Sequence, residues 1–223
     1  MIKFGKKNKK SKKEEIEEES SSEEEEGSSK KVLTLADMLS GKEQPMPESR
    51  SIMFVGEVTE ERAADLVSAL IVLAQTKDED QEKPEDIKLY INTYGGSADE
   101  MFAIYDAMNW CKKLCDIQTI GIGKVMSAGT LMLAAGTKGK RHITQHCRVM
   151  IHSVNGGHIG ELHNLQNELE QIADLQDKYI NALSTETSMT KKQIETLINK
   201  KINIYLNAEE TVEKGLADGV WNG

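Results

Sequence analysis

Between residues 51 and 152 the hydrophobic period of the chain keeps switching. Short β-branched and apolar runs at 51–58, 87–92, 116–122 and 147–152 predict strands. Stretches with helical spacing at 60–75, 99–113 and 127–136 lie between them and predict helices. Strands that alternate with helices are joined by crossovers, and crossovers pair strands in parallel. The expectation is an α/β fold. A charged loop with Pro84 fills 78–86, and the charged segment from Lys138 to Arg141 reads as a turn. A longer helix is predicted over 160–184. Its Leu162, Leu165, Leu169, Ile172, Leu175, Tyr179 and Leu183 fall close to heptad spacing. Such a stripe packs either in a core or against another helix. Thr190 and Gln193 suit a capping box at the start of a last helix.

The first 31 residues cannot join such a core. Lysines fill 3–13, and glutamates with serines fill 14–29. A tract with so few apolar residues cannot offset chain entropy, so 1–31 is expected to be a disordered tail and 32–223 one folded domain. Leu35, Met38 and Leu39 predict a short amphipathic helix, and Pro45 and Pro47 a turn. The net charge of −9 argues against a general nucleic-acid binder. No apolar run reaches the roughly 18 residues of a membrane span, and the N-terminus carries charges where a secretory leader is apolar. Three cysteines, Cys111, Cys115 and Cys147, form an odd and sparse set, which suits a reducing compartment. Cys111 and Cys115 lie four apart on a helix, but a metal site needs further ligands nearby. Neither a metal nor a cofactor is expected.

Chemistry concentrates in three segments. In Gly123-Lys124-Val125-Met126-Ser127-Ala128-Gly129 a small-residue turn ends in a serine, and an apolar helix follows. A serine there is usually an N-cap, yet free N–H groups around it also suit an acyl-transfer oxyanion. Upstream, the strand Tyr90-Ile91-Asn92 runs through Thr93-Tyr94 into Gly95-Gly96, where backbone can approach a ligand closely. Downstream, Arg148-Val149-Met150-Ile151 ends in His152. Neutral histidine is the usual base for an activated serine, and such groups meet in space rather than in order.

Taken together, these segments resemble the proteolytic subunit of the Clp protease family. The likeness extends to Ala103-Ile104-Tyr105-Asp106-Ala107-Met108, Leu133-Ala134-Ala135-Gly136 and Lys138-Gly139-Lys140-Arg141. Ala208-Glu209-Glu210 and Gly215-Leu216-Ala217-Asp218 complete it, in the family's order, from about Arg50 to Val220. The resemblance implies a crotonase-like fold of stacked parallel sheets, surrounding helices and a protruding handle helix, here the stripe at 160–184. It implies a cytoplasmic serine peptidase built as two stacked heptameric rings and fed unfolded polypeptide by a Clp-type AAA+ unfoldase. Ser127 matches the nucleophile, His152 the base, and the backbone N–H groups of Gly96 and Ala128 the oxyanion hole. Val154, Asn155, Gly156 and Gly157 match the loop of the substrate cleft. Tyr90 and Trp110 match two positions of the unfoldase-docking pocket, while Lys88 takes a third where an aromatic is usual.

The third member of the triad departs from the pattern. Counting back from Tyr205-Leu206-Asn207-Ala208 puts Asn203 where the family has aspartate. Counting forward from Gln193 gives Lys201, because the chain carries two extra residues; the nearer anchor favours Asn203, with Asn199 the next choice. An amide oxygen holds an imidazole but carries no charge to stabilise its protonated form. Tyr94 replaces the usual proline, and Ile202 stands where the family often has an arginine that bridges the rings. Other readings stay open: a weakly active or non-catalytic ring subunit, an acyl-CoA enzyme on the same fold, and a maturation protease of viral prohead type that works without an unfoldase.

Overall fold

The computed structural model describes residues 49–77, 81–157, 159–200 and 202–221. The expected tail over 1–31, the short helix at Leu35–Leu39 and the turn at Pro45 and Pro47 lie outside these residues, as do His158 and Lys201.

The alternation read from the sequence produces a sheet covered by helices. Its elements run β1 (Ser51–Val55), α1 (Glu60–Gln75), β2 (Ile87–Thr93), α2 (Ala98–Cys111), β3 (Ile117–Met126) and α3 (Ala128–Ala134). Then come β4 (Arg141–Thr144), β5 (Arg148–Ile151), α4 (Leu162–Glu186), α5 (Lys191–Ile198), β6 (Ile204–Leu206), α6 (Ala208–Glu213) and β7 (Gly219–Trp221). Strands β1-β2-β3-β4-β7 pair in that order, all in parallel.

The sheet forks at β3. Thr119–Gly121 holds β4, whereas Lys124–Met126 holds β5, which in turn carries β6 antiparallel. Gly123, at φ +65°, sits between the two halves. Helix α3 packs against β2, β3, α2 and α4, and all seven of its residues are buried. Leu131, Met132 and Leu133 there meet Leu89, Ile91 and Ile104 in one continuous core.

Several expectations shift in detail. The run expected as one strand over 51–58 is broken at Gly56 and Glu57, and Val58 rejoins the sheet as a single bridge to Gly96. Strand β3 continues four residues past 122, because its second half finds a new partner in β5. The turn expected from Lys138 to Arg141 closes at Lys140; Arg141 opens β4 and is only 4% exposed. Its guanidinium donates to both carboxylate oxygens of Asp218 and to the carbonyls of Ala134 and Glu186. One buried cation thus ties the ends of α3 and α4 to the approach of β7. Burial raises the Asp218 carboxyl, but the bonds from Arg141 outweigh it and hold the group below the usual carboxylate range.

Helix α4 divides in two. Its last turns bury Tyr179, Ile180, Ala182 and Leu183 in the core. Its first turns leave Leu162, Leu165 and Leu169 exposed, so the apolar stripe runs out beyond the body. The capping box of Thr190 and Gln193 forms with both reciprocal bonds at the start of α5. No described helix is long and apolar enough to cross a membrane.

Candidate active site

Parallel strands end on one side, and ligand sites in such sheets lie beyond the carboxyl ends. Here β2, β3 and β5 are neighbours, with Thr93 paired to Val125 and Met126 to Met150. One or a few residues further on, these strands deliver Gly96, Ser127 and His152 to a common cleft of about 330 Å³.

Ser127 is the one described non-glycine residue with positive φ, at φ 53° and ψ −121°. Such a conformation costs about 1–3 kcal/mol and persists only where its surroundings over-determine it. Its N–H donates to the Met150 carbonyl at 2.8 Å. Its own carbonyl accepts from the Thr130 N–H at 2.9 Å and from Thr130 Oγ1 at 2.6 Å. Gly95, at φ +100°, passes so close that a Cβ there would lie 2.5 Å from Ser127 Cβ. The ordinary N-cap role is not taken up, since the Ser127 side chain makes no capping bond. Ser127 Oγ instead lies 2.7 Å from His152 Nε2.

Burial pushes the His152 imidazole below its ordinary value, and a backbone hydrogen bond with Ser153 acts the other way. The net effect favours the neutral ring near pH 7, which accepts the serine proton at Nε2.

Gly96 is locked against Val58, whose carbonyl a Cβ would strike. The chain beside it is held by Val58 N–H to Gly95 O at 2.8 Å and Ser97 N–H to Val58 O at 2.9 Å. The Gly96 and Ala128 N–H groups donate to no described acceptor, and both residues line the cleft.

Of the loop expected to line the cleft, Val154 and Asn155 do so. Gly156 backs onto Ile172 of α4, and Gly157 faces open space. Asn203 is exposed and makes no hydrogen bond to His152 among the described residues. Its position is still suggestive. The β5–β6 ladder ends with Ile151 opposite Ile204, and His152 and Asn203 are the next residue on each chain. Asn199 ends α5, with its N–H bonded to Glu195 and Leu197 carbonyls. Tyr90 is half-buried in mid-β2 and Trp110 is 40% exposed on α2. Neither lines the second cavity, which opens between β1 and α1 around Ile52, Phe54 and Leu66.

Sequence reasoning left other cleft residues without a role. Met101, Tyr94 and Tyr179 all line it. Tyr94 is 70% exposed, and Lys124 Nζ sits 4.5 Å above its ring while bonding Asn92 Oδ1 at 2.7 Å. The Tyr179 hydroxyl lies 2.5 Å from Thr130 Oγ1 and 3.4 Å from the Ser127 carbonyl oxygen. In the sequence Tyr179 is one more position of an apolar stripe, and nothing marks its hydroxyl. The three cysteines are buried; burial pushes Cys111 up to about 11 and Cys147 up to about 12, which keeps both as thiols. No group of three or more His, Cys, Asp or Glu that could hold a metal occurs among the described residues.

The forked sheet and the polar cleft at its strand ends leave the class of protein to comparison with known sequences, and that comparison shows a protease. The Clp protease family matches residues 40–223. The ATP-dependent Clp protease proteolytic subunit 2 of Chlamydia pneumoniae is 36% identical over 174 residues, covering 78% of this chain and 81% of the relative. The chain belongs to the Clp protease family.

Proposed function

We propose that the chain is the serine endopeptidase subunit of a self-compartmentalised Clp-type protease. The observation that carries this reading is the 2.7 Å contact between Ser127 Oγ and His152 Nε2 at a strained strand end. Neutral His152 takes the Ser127 proton as Oγ attacks the scissile carbonyl carbon. The oxyanion is received by the Gly96 and Ala128 N–H groups, each worth about 3 kcal/mol in the transition state. His152 then gives the proton to the leaving amine, and a water activated by the same ring hydrolyses the acyl-enzyme. Asn203 serves as a neutral orienter of the ring.

The substrate is an unfolded polypeptide laid as an added strand along Val154–Gly157, through main-chain bonds that tolerate many side chains. The exposed leucines of α4 suit burial between two stacked heptameric rings. A Clp-type AAA+ unfoldase docking near Tyr90 and Trp110 in the cytoplasm completes the reading, in keeping with the ATP-dependent relative from Chlamydia pneumoniae.

One observation favours a second reading, a weakly active or non-catalytic ring subunit. Asn203 is uncharged and stands without a bond to His152. Fluorophosphonate labelling of the purified chain separates the two. Labelling is expected at Ser127 alone, lost in Ser127→Ala and strongly slowed in His152→Ala. Equal labelling of wild type and Ser127→Ala removes the peptidase reading.

A further inference from the structure

Two hydroxyls behind Ser127 have no part in the serine–histidine exchange. Thr130 is fully buried on α3, and Tyr179 is buried on α4 at 3% exposure. Their protons can be assigned by counting. Each hydroxyl has a single proton to donate. The shortest bond to the Ser127 carbonyl oxygen is from Thr130 Oγ1, at 2.6 Å, and uses the Thr130 proton. The 2.5 Å contact between Thr130 Oγ1 and the Tyr179 hydroxyl then takes its proton from Tyr179. The Ser127 carbonyl therefore ends a chain that runs Tyr179 O–H to Thr130 O–H to C=O. The Thr130 N–H joins it at 2.9 Å. Burial raises the Tyr179 phenol to about 12, so it remains a donor across the working pH range.

The carbonyl of Ser127 and the N–H of Ala128 belong to one planar peptide unit and point in opposite directions. Fixing one fixes the other. We infer that Thr130 and Tyr179 are positioning residues for the reaction: by gripping the Ser127 carbonyl they aim the Ala128 N–H into the cleft and hold Ser127 at positive φ. The inference rests on the peptidase reading, in which Ala128 donates to the oxyanion. Hydrogen bonds in series polarise one another, so the tyrosine also strengthens the threonine's bond to the carbonyl. The grip reaches the nucleophile from α4, an element that contributes no reacting group.

The test compares Tyr179→Phe, Thr130→Val and Thr130→Ser, with a fluorogenic peptide for turnover and a peptide aldehyde as a ligand that needs the oxyanion donors. Tyr179→Phe is expected to lower kcat about tenfold with KM unchanged, a fraction of the 10²–10³ that loss of a whole donor costs. Thr130→Val should lose more, and Thr130→Ser should keep wild-type turnover. Aldehyde affinity should fall in step with kcat, while a peptide without the aldehyde binds unchanged. Unchanged kcat in Tyr179→Phe overturns the inference, and so does a Thr130→Ser chain as slow as Thr130→Val. If Tyr179→Phe fails to fold, the threonine pair still decides. A wild-type chain that neither labels nor turns over peptide defeats the peptidase reading instead. The grip is then judged on a crystal structure of Tyr179→Phe, where retention of the positive φ at Ser127 overturns it and its loss supports it.

Discussion

Ser127 and His152 stand at the ends of paired strands, yet the two sides of the cleft are held in different ways. Around Ser127 the chain is fixed on every side. Met150 takes its N–H, Thr130 grips its carbonyl, Tyr179 backs the threonine, and Gly95 packs against its Cβ. Around His152 the constraints are few. The β5–β6 ladder stops one residue short of it, and residues 152–157 have no regular structure. Among the described residues, its ring has beyond Ser127 only a hydrogen bond with the Ser153 backbone. Strained backbone needs close packing to survive, whereas a histidine at a strand end needs only one good partner. The serine side is therefore pre-organised, and the histidine side is where an orienting group still has an effect to exert.

The most damaging way to break this contrast is to intrude on the rigid side. Gly95→Ala would place a Cβ 2.5 Å from Ser127 Cβ and 2.9 Å from the Met126 carbonyl oxygen, at a φ of +100° that alanine resists. Both neighbours are buried or bonded, so neither yields easily. Fluorophosphonate labelling should slow by about 10²-fold, the scale of losing an aligned donor. A chain that folds and labels at the wild-type rate would show that the serine side has slack.

How much of this was legible in the sequence follows from what each feature depends on. The central strands and helices were readable because burial on one or two faces writes a period into them. Ser127, His152 and the Gly-Gly turn were readable because small residues and a polar strand end break that period. The fork in β3 was not readable: Gly123 and Lys124 interrupt the apolar run and read as a turn, whereas the strand continues through them because it changes partner there. Strands β6 and β7 are three residues each, too short to show alternation. Arg141 looked like part of a charged turn because its burial depends on Asp218, 77 residues away. The hydroxyl of Tyr179 was hidden in a stripe where only its ring counted.

A gentler change sharpens the loose side. Asn203→Asp puts a carboxylate one residue beyond the ladder, at the position next past Ile204 as His152 is next past Ile151. The charge would stabilise the imidazolium that forms as Oγ attacks. Loss of the acid from a Ser-His-Asp site costs about 10⁴ in turnover, and recovery of even a small part of that is a rise of about tenfold. Asn203→Ala should lower turnover only a few-fold, because the amide makes no bond to the resting ring. Silence of both changes, measured with a short fluorogenic peptide, would send the search for an orienter to residues 199–201.

The smallest effect is the most direct reading of the ring itself. Burial lowers the His152 pKa from its ordinary 6.5, more than the Ser153 backbone bond raises it. The acid limb of kcat/KM should therefore have its midpoint below 6.5, with activity flat through neutral pH. The sign for stability is the same. The folded chain binds the proton less readily than the unfolded one, so the stabilisation is complete above the unfolded value and declines as pH falls through the folded one. Asn203→Asp should move the midpoint upward, because a carboxylate near the ring favours its charged form. Titration of His152 by NMR in both chains measures the shift without any turnover. An upward shift in a chain whose kcat does not rise would mean that the carboxylate reaches the ring from a direction that does not orient it. No shift at all would place residue 203 beyond the reach of His152.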